Sequence, residues 1–419
     1  MVIGLFFYRL GILGYGMLVR LVSFWHIKAR LWVQGRKNWH SNLLSRFSPQ
    51  DAPVIWFHCA SLGEFEQGRA VMELFKQRHP DWKLVVTFYS PSGYEVRKNY
   101  SVADLVCYLP LDTPRNARRF VDAIKPTVAV FVKYEFWYYY LRELHQRGVA
   151  VYLISAIFRR EQAFFKGYGH LYRQWLLLFK GLMVQDQASV DLLAKHHIVK
   201  GVQVVGDSRF DRVWQAATQP TKQLEKIELF CTDSSIFVAG STWPPDEEHI
   251  RSVINAMPPD WKCILVPHEI HEAHILEIMS QYEGCAVRYT SPSTPEELHA
   301  AHLLIVDQVG LLLSLYRYAD FAYIGGGFGV GIHNTLEPAS CGLPVLFGPN
   351  FSNFREAREL IALGAAVSLH TKEDFMRECS LLMSNQQKRE TMGHLAKEYV
   401  ATNTGASQKI VDTIERELK

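Results

Sequence analysis

The stretch VIWFHCASLGE (54–64) decides how this chain is read. Residues 54–60 form an apolar run broken only by His58, too short for a helix and without the alternation of a half-exposed strand. Such a run reads as a strand buried on both faces. Ser61-Leu62-Gly63 turns the chain, and 64–79 has the mixed apolar and charged spacing of an amphipathic helix. The alternation continues outward through KLVVTFY (83–89), VAVFVK (128–133), VAVYLISA (149–156), GLMVQ (181–185) and VQVVG (202–206), with a helix-like stretch at 115–124. Strands that alternate with helices imply a parallel sheet covered on both faces.

A second series follows: SIFVAGS (235–241), KCILVPH (262–268), AVRYT (286–290), LLIVD (303–307), FAYIGG (321–326), PVLFGP (344–349) and AAVSL (365–369). A chain of 419 residues exceeds one ordinary core. The expected organisation is a membrane-associated segment over 1–50, a Rossmann-like domain over 51–215 and a looser, more charged linker over 216–234. A second Rossmann-like domain covers 235–400. A terminal helix over 401–419, continuing a helical stretch from about 387, is expected to pack back on the first domain. Two doubly wound domains facing each other leave a cleft at the carboxyl ends of their strands, where such sheets take ligands.

Charge sharpens this division. The formal net charge is +3, yet residues 1–50 hold seven of the 45 Lys and Arg and no acid, leaving 38 basic residues against all 42 acids in the rest. A nucleic-acid-binding body would spread a basic face through the fold, so nucleic acid is not an expected partner. The seven cysteines stand singly, which indicates neither a zinc knuckle nor a disulfide framework and fits reduced thiols in a cytoplasmic compartment.

The N-terminal run IGLFFYRLGILGYGMLVRLVSFW (3–25) is long enough to cross a bilayer, which needs about 20 residues. Arg9 and Arg20 lie several residues inside it, where a spanning helix would carry a cost of about 2.5–3.5 kcal/mol for each. A helix lying in the interface, with Trp25, Trp32, Trp39 and the neighbouring cations against anionic headgroups, is the preferred reading. A single span and a core helix of the first domain compete with it. A signal peptide matches poorly for want of a small-residue cleavage site.

Several loops carry candidate chemistry. Glu64 reads either as a first-turn acid that favours the helix dipole or as a base at the strand's end. Ser90, Ser92 and Gly93 offer hydroxyls and N–H groups to an anion, or cap an ordinary helix. Glu135, between aromatics directly after a buried strand, is a second candidate acid. In the second domain Gly240-Ser241-Thr242 precedes a helix start and can hold a phosphate. GGGFGVGIHNTLEP (325–338) runs a strand into five glycines. Gly326 and Gly327 then let backbone approach a ligand, Asn334 caps a helix in a capping box with Glu337, and Gly342 stops it. Glu337 could also accept from a ribose hydroxyl. The histidines of HEIHEAH (268–274) stand at i, i+3 and i+6, against the i, i+4 of a zinc helix, so His268 reads as a phosphate or carboxylate contact and no metal site is expected.

Taken together, these blocks resemble the Kdo (3-deoxy-D-manno-octulosonic acid) transferases of lipopolysaccharide synthesis, and the resemblance spans nearly the whole length. Ala60-Ser61-Leu62-Gly63-Glu64 is similar to the family's A-S-V-G-E, Ser90-Pro91-Ser92-Gly93 to T-P-T-G, and Gly206-Asp207-Ser208-Arg209-Phe210-Asp211 to G-N-x-K-F-D. Gly240-Ser241-Thr242 with Glu247 and Glu248 resembles G-S-T-H-x-x-E-E. His333-Asn334-Thr335-Leu336-Glu337-Pro338-Ala339, then 344–349 and Asn353-Phe354-Arg355-Glu356, form the most specific block.

The resemblance implies a GT-B fold with an N-terminal membrane anchor, a CMP-Kdo donor, a lipid A precursor as acceptor and an inverting single displacement at the cytoplasmic face of the inner membrane. It makes Glu64 the catalytic base with Glu135 in reserve. Ser61, Ser90 and Ser92 fall on the acceptor side, and Ser241, Thr242, His268, Gly326, Gly327, Asn334, Glu337 and Asn353 on the donor side. No cofactor or metal is implied, since CMP departs as a stabilised phosphate monoester and the chain has no Asp-x-Asp motif. Three departures stand out. Lys133-Tyr134-Glu135-Phe136-Trp137 replaces E-T-E-L-W, and His268 stands where the family's V-P-R-H-P-E-R has Arg. Ser155-Ala156-Ile157-Phe158-Arg159 replaces N-A-R-L-S, which moves acceptor contacts to Arg159 or Arg160. Two alternatives remain: another GT-B transferase or a sugar-nucleotide epimerase using a UDP- or GDP-sugar, and a membrane-recruited scaffold without turnover.

Overall fold

A computed structural model describes residues 2–49, 52–167, 169–219, 224–282 and 284–418. The chain divides into two compact units, one of Met1–Arg212 with Thr404–Lys419 and one of Val213–Asn403.

In the first unit seven strands form one sheet: β1 (Val54–Cys59), β2 (Lys83–Phe88), β3 (Leu105–Tyr108), β4 (Val128–Val132), β5 (Ala150–Ala156), β6 (Gly181–Val184) and β7 (Val202–Val204). Their order is β3-β2-β1-β4-β5-β6-β7 and every pair is parallel. All residues of β1 and β4 are buried, which accounts for their unbroken apolar runs. Trp56 on β1 packs against Phe120, Phe131 and Tyr140 with ring centroids 5.1, 5.3 and 5.9 Å apart, and all four are fully buried. Burying a side chain such as Phe120 or Phe131 contributes about 1.5–3 kcal/mol before entropy is counted. The strand absent from the sequence reading is β3. Only four residues long, it lies between turn-rich flanks, and its partner β2 fixes it through the register Val85↔Leu105 to Phe88↔Tyr108.

The second unit repeats the architecture with β8 (Ser235–Thr242), β9 (Trp261–Pro267), β10 (Ala286–Arg288), β11 (Leu303–Ile305), β12 (Phe321–Ile324), β13 (Val345–Phe347) and β14 (Ala366–Ser368). The order is β10-β11-β9-β8-β12-β13-β14, again wholly parallel. Phe237, Trp261, Phe321 and Tyr323 centre its core.

Element boundaries differ from the sequence reading in three places. Within 216–234, helices Ser208–Thr218 and Glu225–Cys231 cover most of the stretch read as a linker; residues 220–223 lie outside the described set. The helix expected from about 387 to the end is two helices, Gln386–Thr402 and Ala406–Arg416. The chain breaks at Gly405, whose φ of 102° is a conformation few other residues adopt. The second of these lies against helix Leu62–Arg78, where Arg78 pairs with Asp412 at 2.7 Å and Glu415 at 3.0 Å, and Ile410, Val411 and Ile414 enter the first unit's core.

The third difference concerns 1–50. Helix Val2–Val22 leaves Phe6, Phe7, Leu10, Met17, Leu18 and Leu21 more than half exposed, and only 6% of its apolar window is buried, which excludes a core helix. Its inner face docks through Tyr8, whose hydroxyl donates to Asp112 Oδ2 at 2.5 Å and whose ring lies 5.1 Å from that of Trp175. Residues 27–47 belong to the unit itself. Helices Ile27–Gly35 and Trp39–Arg46 bury Trp32 and Leu43, and Phe47 joins the same core as Trp56. Arg36 donates to the carbonyls of Leu109 and Tyr89, both at 2.8 Å.

Candidate active site

In the first sheet the chain moves outward from β1 to β3 and then resumes on the other side at β4. The carboxyl ends of β1 and β4 therefore bound the crevice where an α/β sheet takes ligands. The loop after β1 supplies Ser61 and Glu64. Ser61 is the N-cap of helix Leu62–Arg78 and Glu64 its third residue, in a capping box. The Ser61 N–H donates to Glu64 Oε2 at 3.0 Å and the Ser61 hydroxyl bonds the same oxygen. Among the described residues Oε1 accepts nothing, so one carboxylate oxygen is held and the other is open.

The loop after β2 lies beside it. The Ser90 N–H donates to the Ala60 carbonyl at 2.7 Å, and the Ser90 and Ser92 hydroxyls are 3.0 Å apart. A Cβ on Gly93 would stand 2.3 Å from the Phe88 ring and 3.0 Å from Ser61 carbon, so glycine is what lets helix Pro91–Arg97 approach. Ser61, Glu64, Ser90 and Ser92 thus form one group.

From the other side, the loop after β4 delivers Glu135. Its Oε2 lies 2.7 Å from Trp137 Nε1 and 3.2 Å from Nε2 of the buried His58. His58 Nδ1 is 2.9 Å from Thr87 Oγ1. Trp137 Nε1 also lies 2.9 Å from His58 Nε2, so the Glu135 carboxylate, the Trp137 indole and the His58 ring form one bonded cluster. Trp137 stacks on Tyr89 at 4.4 Å, which ties this loop to the one after β2. Burial first, then the charges of Glu64 and Glu135, push the Cys59 thiol up, so Cys59 stays protonated between the two loops. Arg159 is exposed on the loop after β5 and its charge acts on the Tyr134 hydroxyl, beside Glu135; Arg160 is exposed and bonds to none of this group. Sequence reasoning assigned nothing to His58 or Trp137. The signal was there: one histidine inside a seven-residue apolar run, and a tryptophan two residues past an isolated acid.

The second unit has its switch point between β8 and β12. Ser241 sits in left-handed backbone (φ 55°) at an irregularity in the β8–β9 pairing. Buried Thr242 donates to Glu247 Oε1 at 3.0 Å, and its carbonyl accepts the His268 N–H at 2.9 Å. Burial raises the Glu247 carboxyl, and His274, 3.2 Å away, opposes that shift. A single buried carboxylate, Asp246, accepts from Trp243 N–H (2.9 Å), Gly326 N–H (2.8 Å) and Tyr323 OH (2.6 Å), joining the loop after β8 to the glycine-rich loop after β12. The rings of Trp243, His268 and His333 stack in series, 4.7 and 4.5 Å apart, and Trp243 Nε1 donates to His333 Nε2 at 3.0 Å. Burial, then the neighbouring His268, lowers the His333 pKa, which suits a neutral acceptor. Trp243 and His333 are the contributors to this group that residue-by-residue reading assigned no role.

Gly326 and Gly327 also pack closely against backbone: a Cβ on Gly326 would lie 2.3 Å from the Gly331 carbonyl oxygen, and one on Gly327 would lie 2.5 Å from the Gly348 nitrogen. One expectation changes here: Asn334 is not the N-cap. Helix Leu336–Ser340 has five residues and is capped at Thr335, because Asn334 Oδ1 turns to the Leu336 N–H (3.1 Å) while its amide donates to Glu337 Oε1 (3.0 Å). Gly342 ends that helix at φ 79°, as the sequence implied. Asn353 is exposed beyond β13 and makes no bond to the group.

Two parallel seven-stranded α/β units, each with its polar loops at a central switch point, are the architecture of the GT-B fold. Solved structures share it: a UDP-GlcNAc 2-epimerase from Neisseria meningitidis bound to UDP-GlcNAc (TM-score 0.60, 16% identity, 87% of this chain and 100% of that one) and a glycosyltransferase from Rickettsia africae (0.55, 11%, 88% and 99%). At such identities the likeness is one of fold alone. In sequence, a 3-deoxy-D-manno-octulosonic acid transferase of Chlamydophila psittaci is 28% identical over 352 residues, 81% of this chain and 80% of its own. Residues 36–212 match the family described as 3-deoxy-D-manno-octulosonic-acid transferase (kdotransferase). Over these residues, and along most of its length, the chain is similar to Kdo transferases.

Proposed function

We propose that the chain transfers Kdo from CMP-Kdo to a lipid A precursor of lipid IV-A type, in lipopolysaccharide inner core synthesis, by an inverting single displacement. The observation that carries this reading is Glu64, one oxygen tied to Ser61 and the other open at the switch point beside Glu135. Its open oxygen takes the proton of the acceptor's sugar hydroxyl as the hydroxyl oxygen bonds to the anomeric carbon of Kdo. The bond from that carbon to the phosphate oxygen breaks, and CMP leaves with the electron pair. The leaving group is stable as an anion, so one base suffices, in contrast to the carboxyl pair of glycosidases.

Glu135, held by His58 and Trp137, orients the acceptor sugar and is the alternative base. Ser61, Ser90, Ser92 and Arg159 serve the acceptor, and Arg160 reaches it only from the solvent side. Ser241, Thr242, His268, Asn334 and Glu337 serve the donor, with Asn353 at its outer edge. Gly326 and Gly327 act by shaping the loop that carries Asn334. The exposed apolar face of helix Val2–Val22 and the cations beside it suit an anionic bilayer at the cytoplasmic face of the inner membrane.

One assay tests the whole reading. Full-length protein is incubated with a lipid A precursor and CMP-Kdo generated in situ, and products are read by mass. A mass increment of one or more Kdo units is expected. No increment with CMP-Kdo, together with thermal stabilisation by UDP and none by CMP, would move the enzyme to another sugar nucleotide.

A further inference from the structure

Between the N-terminal helices and the first sheet lies a cavity of about 750 Å³, within the range of small-molecule sites. Arg20, Arg30, Arg36 and Lys37 line it, with Trp32 and Trp39 as aromatic walls. Four cations around one opening, with no acid anywhere in residues 1–50, is a strongly electropositive cavity. Two of the four are fixed by backbone. Arg30 donates to the Ser23 and Phe24 carbonyls at the end of the first helix (3.3 and 3.1 Å). Arg36 bonds the Trp32, Leu109 and Tyr89 carbonyls and lies over the Trp32 ring at 4.0 Å. Burial lowers its pKa to about 10, which leaves it charged at neutral pH.

Arg20 and Lys37 are different. Both are exposed at this opening, and among the described residues neither side chain has a hydrogen bond or a carboxylate partner. The nearby buried acid, Asp112, is already engaged by the Tyr8 hydroxyl and the N–H groups of Tyr139 and Tyr140. The rim is as informative as the wall. Phe24 (76% exposed) lines the cavity, and the exposed Trp25 (68%) and Leu21 (56%) are one and three residues from it in sequence. Cations lining the cavity, with an exposed Phe24 among them, match a molecule whose anionic head enters while its hydrocarbon stays outside.

We propose that this cavity is a subsite for the phosphate headgroup of an anionic bilayer phospholipid, clasped by Arg20 and Lys37. The proposal rests on the membrane-associated reading of the N-terminal helix. Phosphate chemistry is shared by a second source, a phosphate on the acceptor lipid, and the experiment separates the two.

Cosedimentation of the full chain with phosphatidylglycerol vesicles compares the Arg20→Gln/Lys37→Gln double variant with Arg9→Gln/Lys28→Gln. The second pair removes the same charge from the same segment outside the cavity. Generic attraction to an anionic surface weakens both equally, since each surface cation has a similar weight. A clasped headgroup makes the first pair lose roughly tenfold more affinity than the second, beyond that common loss. Soluble glycerol phosphate should then compete with the parent and not with the first pair. Equal losses in the two pairs would overturn the subsite and leave the membrane reading intact. A parent protein that binds neither phosphatidylglycerol nor phosphatidylcholine vesicles would instead fail the membrane reading. A raised acceptor KM in phospholipid-free detergent micelles, with vesicle affinity kept, would reassign the cavity to the acceptor's own phosphate. Unchanged thermal unfolding verifies that either pair still folds.

Discussion

Glu64→Gln separates the capping role of this carboxylate from its proposed role as base. Glu64 Oε2 accepts the Ser61 N–H at 3.0 Å within the capping box, and a glutamine carbonyl oxygen can accept that bond in the same place. What the variant loses at the helix start is charge, about 0.3–1 kcal/mol through the dipole. For a unit of this size that is a shift of under about 4 °C in unfolding temperature. The chemical loss is of another order. The amide cannot take a proton, and removal of a general base costs about 10²–10⁴ in rate, roughly 3–5 kcal/mol of barrier. The assay is initial rate below acceptor saturation with CMP-Kdo, beside thermal unfolding with and without CMP. Donor stabilisation should persist. Glu135→Gln is the matched control, since it too replaces a carboxylate held by its neighbours, the rings of Trp137 and His58. It should cost less than Glu64→Gln. A Glu64→Gln enzyme within a few-fold of the parent would remove Glu64 from the mechanism, and a larger loss in the control would hand the role to Glu135.

Other outcomes follow from the same structure. Asn334→Ala and Glu337→Ala should raise the donor KM more than the acceptor KM, because their mutual bond fixes the surface of the loop after β12; an unchanged donor KM in both would place the nucleotide elsewhere. A chain starting at His26 keeps the buried Trp32, Leu43 and Phe47, so it should fold, yet pellet less with anionic vesicles and act poorly on acylated acceptor. Equal pelleting by the shortened and full-length proteins would refute the anchor. Burial raises Asp112 to about 6 from an ordinary 3.8, so its protonated form favours the fold. Its contribution to stability therefore falls as pH rises from about 4 to 6. Relative to Asp112→Asn, the parent should gain about 2.4 kcal/mol between pH 7.5 and pH 4, read by denaturant unfolding at both values. A pH-independent difference would show that Asp112 does not titrate in this range.

Most of the fold was legible because both sheets are parallel and covered on both faces, which writes each strand as an unbroken apolar run. VIWFHC and VAVFV are the plainest cases. What escaped was whatever depends on a neighbour in space. LVCY is too short to stand out and becomes β3 only through its pairing with β2. Trp32 reads with Trp25 and Trp39 as an interfacial tryptophan until the packing that buries it is known. The site divides in the same way. Ser61 and Glu64, three residues apart, form a local motif that the sequence displays. Glu135 and His58 are 77 residues apart and meet because β1 and β4 are adjacent strands. The glycines of 325–331 were visible as glycines, but whether their bare backbones face a ligand or one another depends on where Gly348 lies.

Helix Ala406–Arg416 has a consequence for how the protein is made. Ile410, Val411 and Ile414 fill the core beneath β1 and β2, and Asp211 accepts the Gly405 and Ser407 N–H groups at 2.5 and 2.7 Å. During synthesis the first sheet emerges from the ribosome early, while this part of its filling is translated roughly two hundred residues later. The second unit, continuous in sequence, can reach its final packing while the first still waits with apolar surface uncovered. A premature stop codon within the last turns would therefore damage the unit at the opposite end of the gene, and nascent chains would need shielding until translation finishes.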